Sequence, residues 1–237
     1  MSTLLLRLAA PMQAWGVDSD FETRRTLPYP TKSGVIGMLA AALGRGRQDS
    51  LEDLNQLRFG VRIDQEGELL RDFHTARPEG KSDNASYTTV RYYLCDAIFL
   101  VGLESENKAF LEQLEYCLCH PVYPLFLGRR SCPITLPLVL GIREKDLLTT
   151  LTGEEWMVQD DYARKKAGKA GTAALRILLD GNGETSSASV LRDVPVSFSA
   201  KNRRFTYRKV RECYTEVNIG SKGDIPVQTE HDPMAGL

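Results

Sequence analysis

The sequence predicts an α+β fold of the ferredoxin-like or RRM-like kind, from the order β-α-β-β-α-β across roughly its first 140 residues. Three observations carry this. Residues 2–8 form a compact apolar run that reads as a buried strand placed centrally in a sheet. Val35, Ile36, Met38, Leu39, Ala42 and Leu43 follow helical spacing, as do Phe110, Leu111, Leu114 and Leu118. Strand-like stretches lie between these two segments.

Taken in order, the first helix is predicted over 33–43, opened by Thr31-Lys32-Ser33-Gly34 with a hydroxyl placed to cap and closed by Gly44. Gly34 and Gly37 cost helix propensity and leave room for a close visitor, either a packed strand or a ligand. Leu51, Leu54 and Leu57 mark a short second helix. Two strands, 59–64 and 68–74, are separated by Gln65-Glu66-Gly67 and read as a hairpin. Residues 76–86 are polar and hold Pro78, Gly80 and Lys81, so they read as a mobile projecting loop. Strands are expected at 88–93 and 97–103, followed by the second long helix with Ser105 as its cap. A strand at 138–142, a short helix within 147–157, a flexible Lys-rich stretch at 162–172, a strand at 175–179 and a Gly181/Gly183 turn complete the described pattern. The division expected is a core of 1–141 and a β-rich elaboration of 142–237 with a flexible tail.

With 237 residues, 42% apolar and 26% charged, the chain can bury a sizeable core, which excludes a small disulfide scaffold and a disordered tail. Its apolar runs, such as 97–103, fall far short of the roughly 20 residues that span a bilayer, so no membrane partner is expected. Arg7 interrupts the apolar stretch at 4–12 and no basic segment precedes it, so export is not expected either. Five irregularly spaced cysteines fit reduced thiols in a cytoplasmic protein.

Candidate chemistry is sparse. Thr31-Lys32-Ser33-Gly34 lacks the full phosphate-loop spacing, although free amides at a helix start beside Lys32 suit either an anion or an ordinary cap. Cys117-x-Cys119-His120 with Cys132 has poor ligand spacing, and neither a metal nor a cofactor is expected. His74, between Arg71 and Arg77, is the one histidine suited to act on an RNA hydroxyl. It has no paired acid nearby in sequence, so a plain hydrogen-bonding histidine is preferred. Local charge is more informative than the net charge of −1. Residues 198–211 hold Lys201, Arg203, Arg204, Arg208, Lys209 and Arg211 without an acid, interleaved with Phe198, Phe205 and Tyr207. Such a mixture suits phosphate tracking and base stacking. Arg24-Arg25 and Arg129-Arg130 form two further basic loops. A generic RRM module would need paired aromatic strand motifs, for which Phe59-Gly60-Val61 is too little.

Several motifs occur in order: Pro11-Met12-Gln13-Ala14-Trp15-Gly16, Tyr29-Pro30-Thr31-Lys32-Ser33-Gly34, Arg71-Asp72-Phe73-His74-Thr75, Arg91-x-Tyr93-Leu94-x-Asp96-Ala97-x-Phe99 and Leu127-Gly128-Arg129-Arg130-Ser131-Cys132-Pro133. Over about residues 4–141 the chain thereby resembles the CasD family, the type I-E Cascade members of the RAMP superfamily that cap the 5′ handle of CRISPR RNA. Beyond Gly141 the resemblance is loose, and it assigns neither 198–211 nor the tail motif Asp232-Pro233-Met234.

The resemblance implies a RAMP core with a protruding β-hairpin thumb at about 75–94 that crosses the guide RNA and meets the neighbouring backbone subunit. It implies a non-catalytic subunit of an antiviral ribonucleoprotein, since type I-E systems give RNA processing to CasE. The implied partners are the CRISPR RNA 5′ handle, the backbone subunit CasC, the large subunit CasA and, through the complex, target DNA. Relatives in type I-C systems cleave precursor RNA, so a metal-independent endoribonuclease using His74 is the alternative. The residues expected on RNA are Arg24 and Arg25, Lys32, Ser33 and Gly34, Arg91, Arg129, Arg130 and Ser131, with Lys201, Arg203 and Arg204 from the basic stretch.

Overall fold

The structure, a computed structural model, describes residues 1–16, 22–76, 86–167, 171–181 and 189–218. The expected loop at 76–86, with Lys81, lies almost wholly outside the described residues, as do Phe21, Arg77, Gly183, His231 and Asp232-Pro233-Met234. Among the described residues no helix is long and apolar enough to cross a membrane.

The chain is a mixed α+β structure. Its elements run β1 (Ser2–Ala9), β2 (Met12–Gln13), β3 (Thr23–Arg24), α1 (Lys32–Ala42), α2 (Glu52–Asn55), β4 (Arg58–Gln65), β5 (Glu68–Ala76), β6 (Tyr87–Cys95) and β7 (Ile98–Ser105). They continue with α3 (Lys108–Cys119), β8 (Val139–Arg143), α4 (Leu147–Gly153), α5 (Asp160–Ala167), β9 (Thr172–Asp180), β10 (Ser189–Ser197) and β11 (Arg204–Asn218). Seven strands form one sheet in the order β10-β11-β9-β4-β7-β1-β8, antiparallel at every junction. Both faces of its middle are covered, which is why β1 reads as a continuous apolar run instead of an alternation. Leu4, Leu6 and Leu8 face α1 and α3, while Leu5 packs with Leu100 against Leu147 and Leu151 of α4.

Local chemistry explains the helix ends. Thr31 Oγ1 accepts from the Gly34 amide at 3.2 Å to open α1, and Gly44, at φ +74°, closes it. The α3 cap is Asn107, whose Oδ1 accepts from the Phe110 amide at 3.1 Å. This corrects the expectation for Ser105, whose hydroxyl instead accepts from the Asn107 amide at 3.1 Å. The stretch expected to be flexible at 162–172 begins inside a helix, α5. Ala163 and Ala167, four apart, face Trp156, Val158 and Leu175, so an apolar stripe survives among the lysines. Residues 168–170 lie outside the described residues.

The expected hairpin of β4 with β5 does not form. β4 pairs with β7 and β9, whereas β5 pairs with β6 in a second sheet that β2 and β3 complete along the other edge of β6. The register shows why. Gln65 faces Ile98 and Glu68 faces Cys95, so β4–β5 and β6–β7 are the two arms of one antiparallel ribbon carried through in register. Glu66-Gly67 opposite Asp96-Ala97 is a bend in that ribbon. A side chain on Gly67 would meet the Ala97 Cβ at 2.8 Å, and Asp96 adopts φ +55°, a conformation that Asp tolerates better than most residues. Gln65 Nε2 donates to the Asp96 carbonyl at 2.6 Å across the bend.

The last three strands are tied to α1 by a buried ionic cluster. The Lys32 ammonium donates to Asp180 Oδ2 and to the Leu57 carbonyl, each at 2.9 Å. Arg208 donates to Asp180 Oδ1 at 2.7 Å and to both oxygens of Asp193, at 2.7 and 2.9 Å. Asp193 Oδ2 also accepts from the Lys32 amide at 2.9 Å, and Asp180 Oδ2 from the Phe59 amide at 3.0 Å. Burial opposes the charge on Arg208, but its two carboxylate partners outweigh that and hold the guanidinium above its ordinary pKa. Removing one member of such a cluster leaves a buried charge short of partners, at a cost of about 3–5 kcal/mol. Asp180→Ala should therefore lower the unfolding free energy by that amount in urea titration. A loss below about 1 kcal/mol would show the cluster to be dispensable.

Candidate nucleic-acid interface

Three motifs that are far apart in sequence meet at residues 13–15. A Cβ on Gly128, at φ +84°, would lie 1.6 Å from the Ala14 carbonyl oxygen, so only glycine lets the 126–133 loop rest on that backbone. The Ala14 amide donates to the Leu127 carbonyl at 3.1 Å, and Leu127 and Cys132 are buried anchors on either side. Trp15 lies over the first turn of α1, its ring 2.8 Å from where a Gly34 Cβ would sit. The close visitor at Gly34 is thus a tryptophan of the same chain. Trp15 Nε1 donates to Gln13 Oε1 at 3.2 Å, and Gln13 Nε2 donates to the Ala97 carbonyl at 2.7 Å, which fixes this junction to the ribbon's bend.

The loop so anchored projects its arginines onto β6. The Arg129 guanidinium stacks over the Tyr93 ring, 4.6 Å from its centroid, and Nη2 donates to the Arg24 carbonyl at 2.9 Å. Arg91 and Tyr93, two apart on β6, share a face, and Arg24 of β3 is the register partner of Arg91. Burial pushes the Tyr93 phenol up, but Ser131, Arg129 and Arg91 around its hydroxyl outweigh this and hold it below the ordinary tyrosine range. Two guanidinium N–H groups, Arg91 Nε and Arg129 Nη1, are buried and have no acceptor among the described residues. Arg24, Arg25, Arg130 and Ser131 around them are exposed. No ion pair with a carboxylate involves any of these arginines among the described residues. Cationic side chains with N–H groups still lacking an acceptor, next to an aromatic ring, are chemically a receiver for phosphate oxygens.

The other expected residues lie elsewhere. Lys32, Ser33 and Gly34 do not form an open phosphate cradle. Lys32 is buried in the ionic cluster, Asp193 already sits on its amide, and the Gly34 amide is taken by Thr31. The anion at the start of α1 comes from the chain itself, which corrects the expectation drawn from an acid-free first turn. Lys201, Arg203 and Arg204 are exposed at the β10–β11 turn, while Arg208 of the same basic stretch points inward. His74 has a partner that its arginine neighbours concealed: its Nε2 lies 2.5 Å from Asp72 Oδ2, two residues earlier on β5. Cys117 is half-buried, Cys119 exposed and Cys132 buried, and no group of three His, Cys, Asp or Glu converges among the described residues. Tyr93 is the centre that sequence reading missed. Its signal was the strand alternation Arg91-x-Tyr93, legible once the partner loop was known.

A sheet-rich α+β chain with a cluster of arginines around a tyrosine on a bent ribbon is the class of structure defined so far. It matches the family model described as CRISPR-associated protein (Cas_Cas5) over residues 3–211, and the chain belongs to that family. The CRISPR system Cascade subunit CasD of Escherichia coli (strain K12) is 44% identical over 161 residues, covering 59% of this chain and 70% of that protein. A chain of a solved CRISPR RNA-guided surveillance complex superposes with a TM-score of 0.74 at 35% identity, covering 91% of each chain. A crystal structure of a Cas protein does so with a TM-score of 0.68 at 40% identity, covering 90% of this chain and 94% of that one.

The Tyr93 environment is open to test by spectrophotometric titration of the nine tyrosines. One phenol should ionise ahead of the rest in the wild type and move upward in Arg129→Ala, because removing an adjacent cation disfavours the phenolate. Superimposable titrations of the two proteins would contradict the arrangement.

Proposed function

We propose that the chain is a subunit of a Cascade-type CRISPR surveillance complex that grips the 5′ handle of the guide RNA without catalysing a reaction. The observation that carries this is the pair of buried N–H groups, Arg91 Nε and Arg129 Nη1, that lie beside Tyr93 and have no acceptor among the described residues. Family membership and the likeness to CasD support it. Handle phosphates take Arg91, Arg129 and Ser131, with Arg24, Arg25 and Arg130 at the rim. Because single-stranded RNA can be read by loops through splayed bases, this arrangement needs no helical groove.

The ferredoxin-like reading of the core rests on β1, β4, β7 and β8, which lie in the order β4-β7-β1-β8, all antiparallel, with α1 and α3 as crossovers. The described residues up to the end of β8 make up this core, and those after it an elaboration whose β9 extends the sheet from β4. The thumb corresponds to the β5–β6 arm of the ribbon, longer than the expected 75–94. Leu69 and Phe73 share one face of it and are 63% and 57% exposed, an apolar surface suited to the backbone subunit CasC, while Tyr87, 56% exposed, lies on the other face. CasA and target DNA are reached through the assembled, cytoplasmic complex.

The His74–Asp72 pair favours a second reading, a metal-independent endoribonuclease, since a carboxylate can orient an imidazole base. Such cleavage also needs an acid for the leaving oxygen, and the non-catalytic reading is preferred because only the base and its orienting carboxylate are identified. The test is mass spectrometry of RNA co-purifying with the chain from its host. A single fixed 5′ end is expected, lost in an Arg129→Ala/Arg130→Ala variant that still folds. Without divalent metal, repeat RNA should stay intact. Specific cleavage that disappears in His74→Ala would replace this function with the nuclease.

A further inference from the structure

The β10–β11 hairpin carries a charge that the handle site does not use. From Ser189 to Arg211 the sequence holds Arg192, Lys201, Arg203, Arg204, Arg208, Lys209 and Arg211 against one carboxylate, Asp193. Asp193 is buried and neutralised by Arg208, and the exposed cations Lys201, Arg203, Arg204 and Arg211 form no ion pair with a carboxylate among the described residues. This concentration occurs in a protein whose net charge is −1.

Strand alternation sorts the hairpin's side chains. Arg208 and Val210 point toward α1, where Arg208 joins the ionic cluster and Val210 is buried. Phe205, Tyr207, Lys209 and Arg211 point to the opposite face. Cys213, further along that face, packs against the cluster of Leu147 and Leu151, but Tyr207 lies beyond it and is 64% exposed. Val190, the register partner of Lys209, is 61% exposed. At the turn, Arg203 stacks on Phe205, 5.2 Å from the ring centroid. Among the described residues β10 is the last strand of the sheet and no strand pairs with its outer edge.

We propose that this hairpin is a second RNA surface, for the single-stranded segment that continues from the handle. Phosphates lie along Lys201, Arg203, Arg204 and Arg211, and one base stacks on Tyr207. An exposed aromatic among cations selects unpaired over duplex nucleic acid, because a duplex hides its base faces. Neither contact type reads sequence, so the surface accepts a single-stranded segment of any sequence. The inference rests on the handle reading for the identity of the strand.

The experiment measures binding of the full chain to two RNA probes, the handle alone and the handle extended by an arbitrary single-stranded segment. The extension should tighten binding about tenfold. Tyr207→Ala should remove at least about fivefold of that gain, and Lys201→Ser/Arg203→Ser/Arg204→Ser should lower the salt slope by about 2, at roughly 0.7 per single-strand phosphate contact. Neither variant should change affinity for the handle alone, because these side chains lie on the exposed hairpin. No gain from the extension, or equal losses on both probes, would overturn the proposal. In the assembled complex, Tyr207 should photo-crosslink to guide RNA, and crosslinks to target DNA alone would overturn the choice of strand. Failure of the handle reading looks different: the handle probe would bind weakly and Arg129→Ala would change nothing.

Discussion

The bend where Glu66-Gly67 faces Asp96-Ala97 divides one long antiparallel ribbon between two sheets, and the placement of the functional groups follows from that division. On one side, β4 and β7 sit inside the seven-stranded sheet with both faces buried. On the other, β5 and β6 leave the core and expose side chains that the core could not tolerate. Tyr93 and Arg91 lie on β6 just beyond the bend, close enough to the core to be held rigidly and far enough out for cations to gather around them. Gln13 pins the bend, Trp15 covers the start of α1, and Ala14 supports Gly128. The position of this cationic cluster is therefore set by backbone packing and not by the arginines themselves.

A second constraint acts at the start of α1. An acid-free first turn next to a lysine has the electrostatics of an anion site, and an anion does occupy it. The anion is Asp193, 161 residues further along, which Arg208 positions. This internal pairing secures the C-terminal strands to the helical layer and occupies Lys32 and Arg208, whereas Arg91 Nε and Arg129 Nη1 have no acceptor among the described residues.

Much of the fold was legible because short-range chemistry set it. The β1 run, the Thr31 cap, Gly44 and the α3 stripe each depend on residues within a few positions. The β4–β5 hairpin was misread because Gln65-Glu66-Gly67 is a plausible turn, and nothing local says that β4's neighbours are β7 and β9. The helix at 160–167 was missed because its apolar stripe is made of alanines, whose signal is weak beside neighbouring lysines. At the site, the arginine pairs were legible as charge, but the role of Lys32 was not. Its outcome depended on Asp180 and Asp193, which sequence distance concealed. The motifs that carried the family resemblance were legible as words before their meaning was visible. Residues 11–16, 31–34 and 127–133 turn out to be the three sides of one packed junction.

Arginine-specific chemical footprinting, read by mass spectrometry with and without handle RNA, tests the central claim most directly. Handle RNA should protect Arg24, Arg25 and Arg130, the exposed arginines of the cluster around Tyr93, while Arg47, which is exposed and not part of it, stays equally reactive. Equal modification of these three arginines with and without RNA would contradict the assignment of this cluster to the guide's 5′ end.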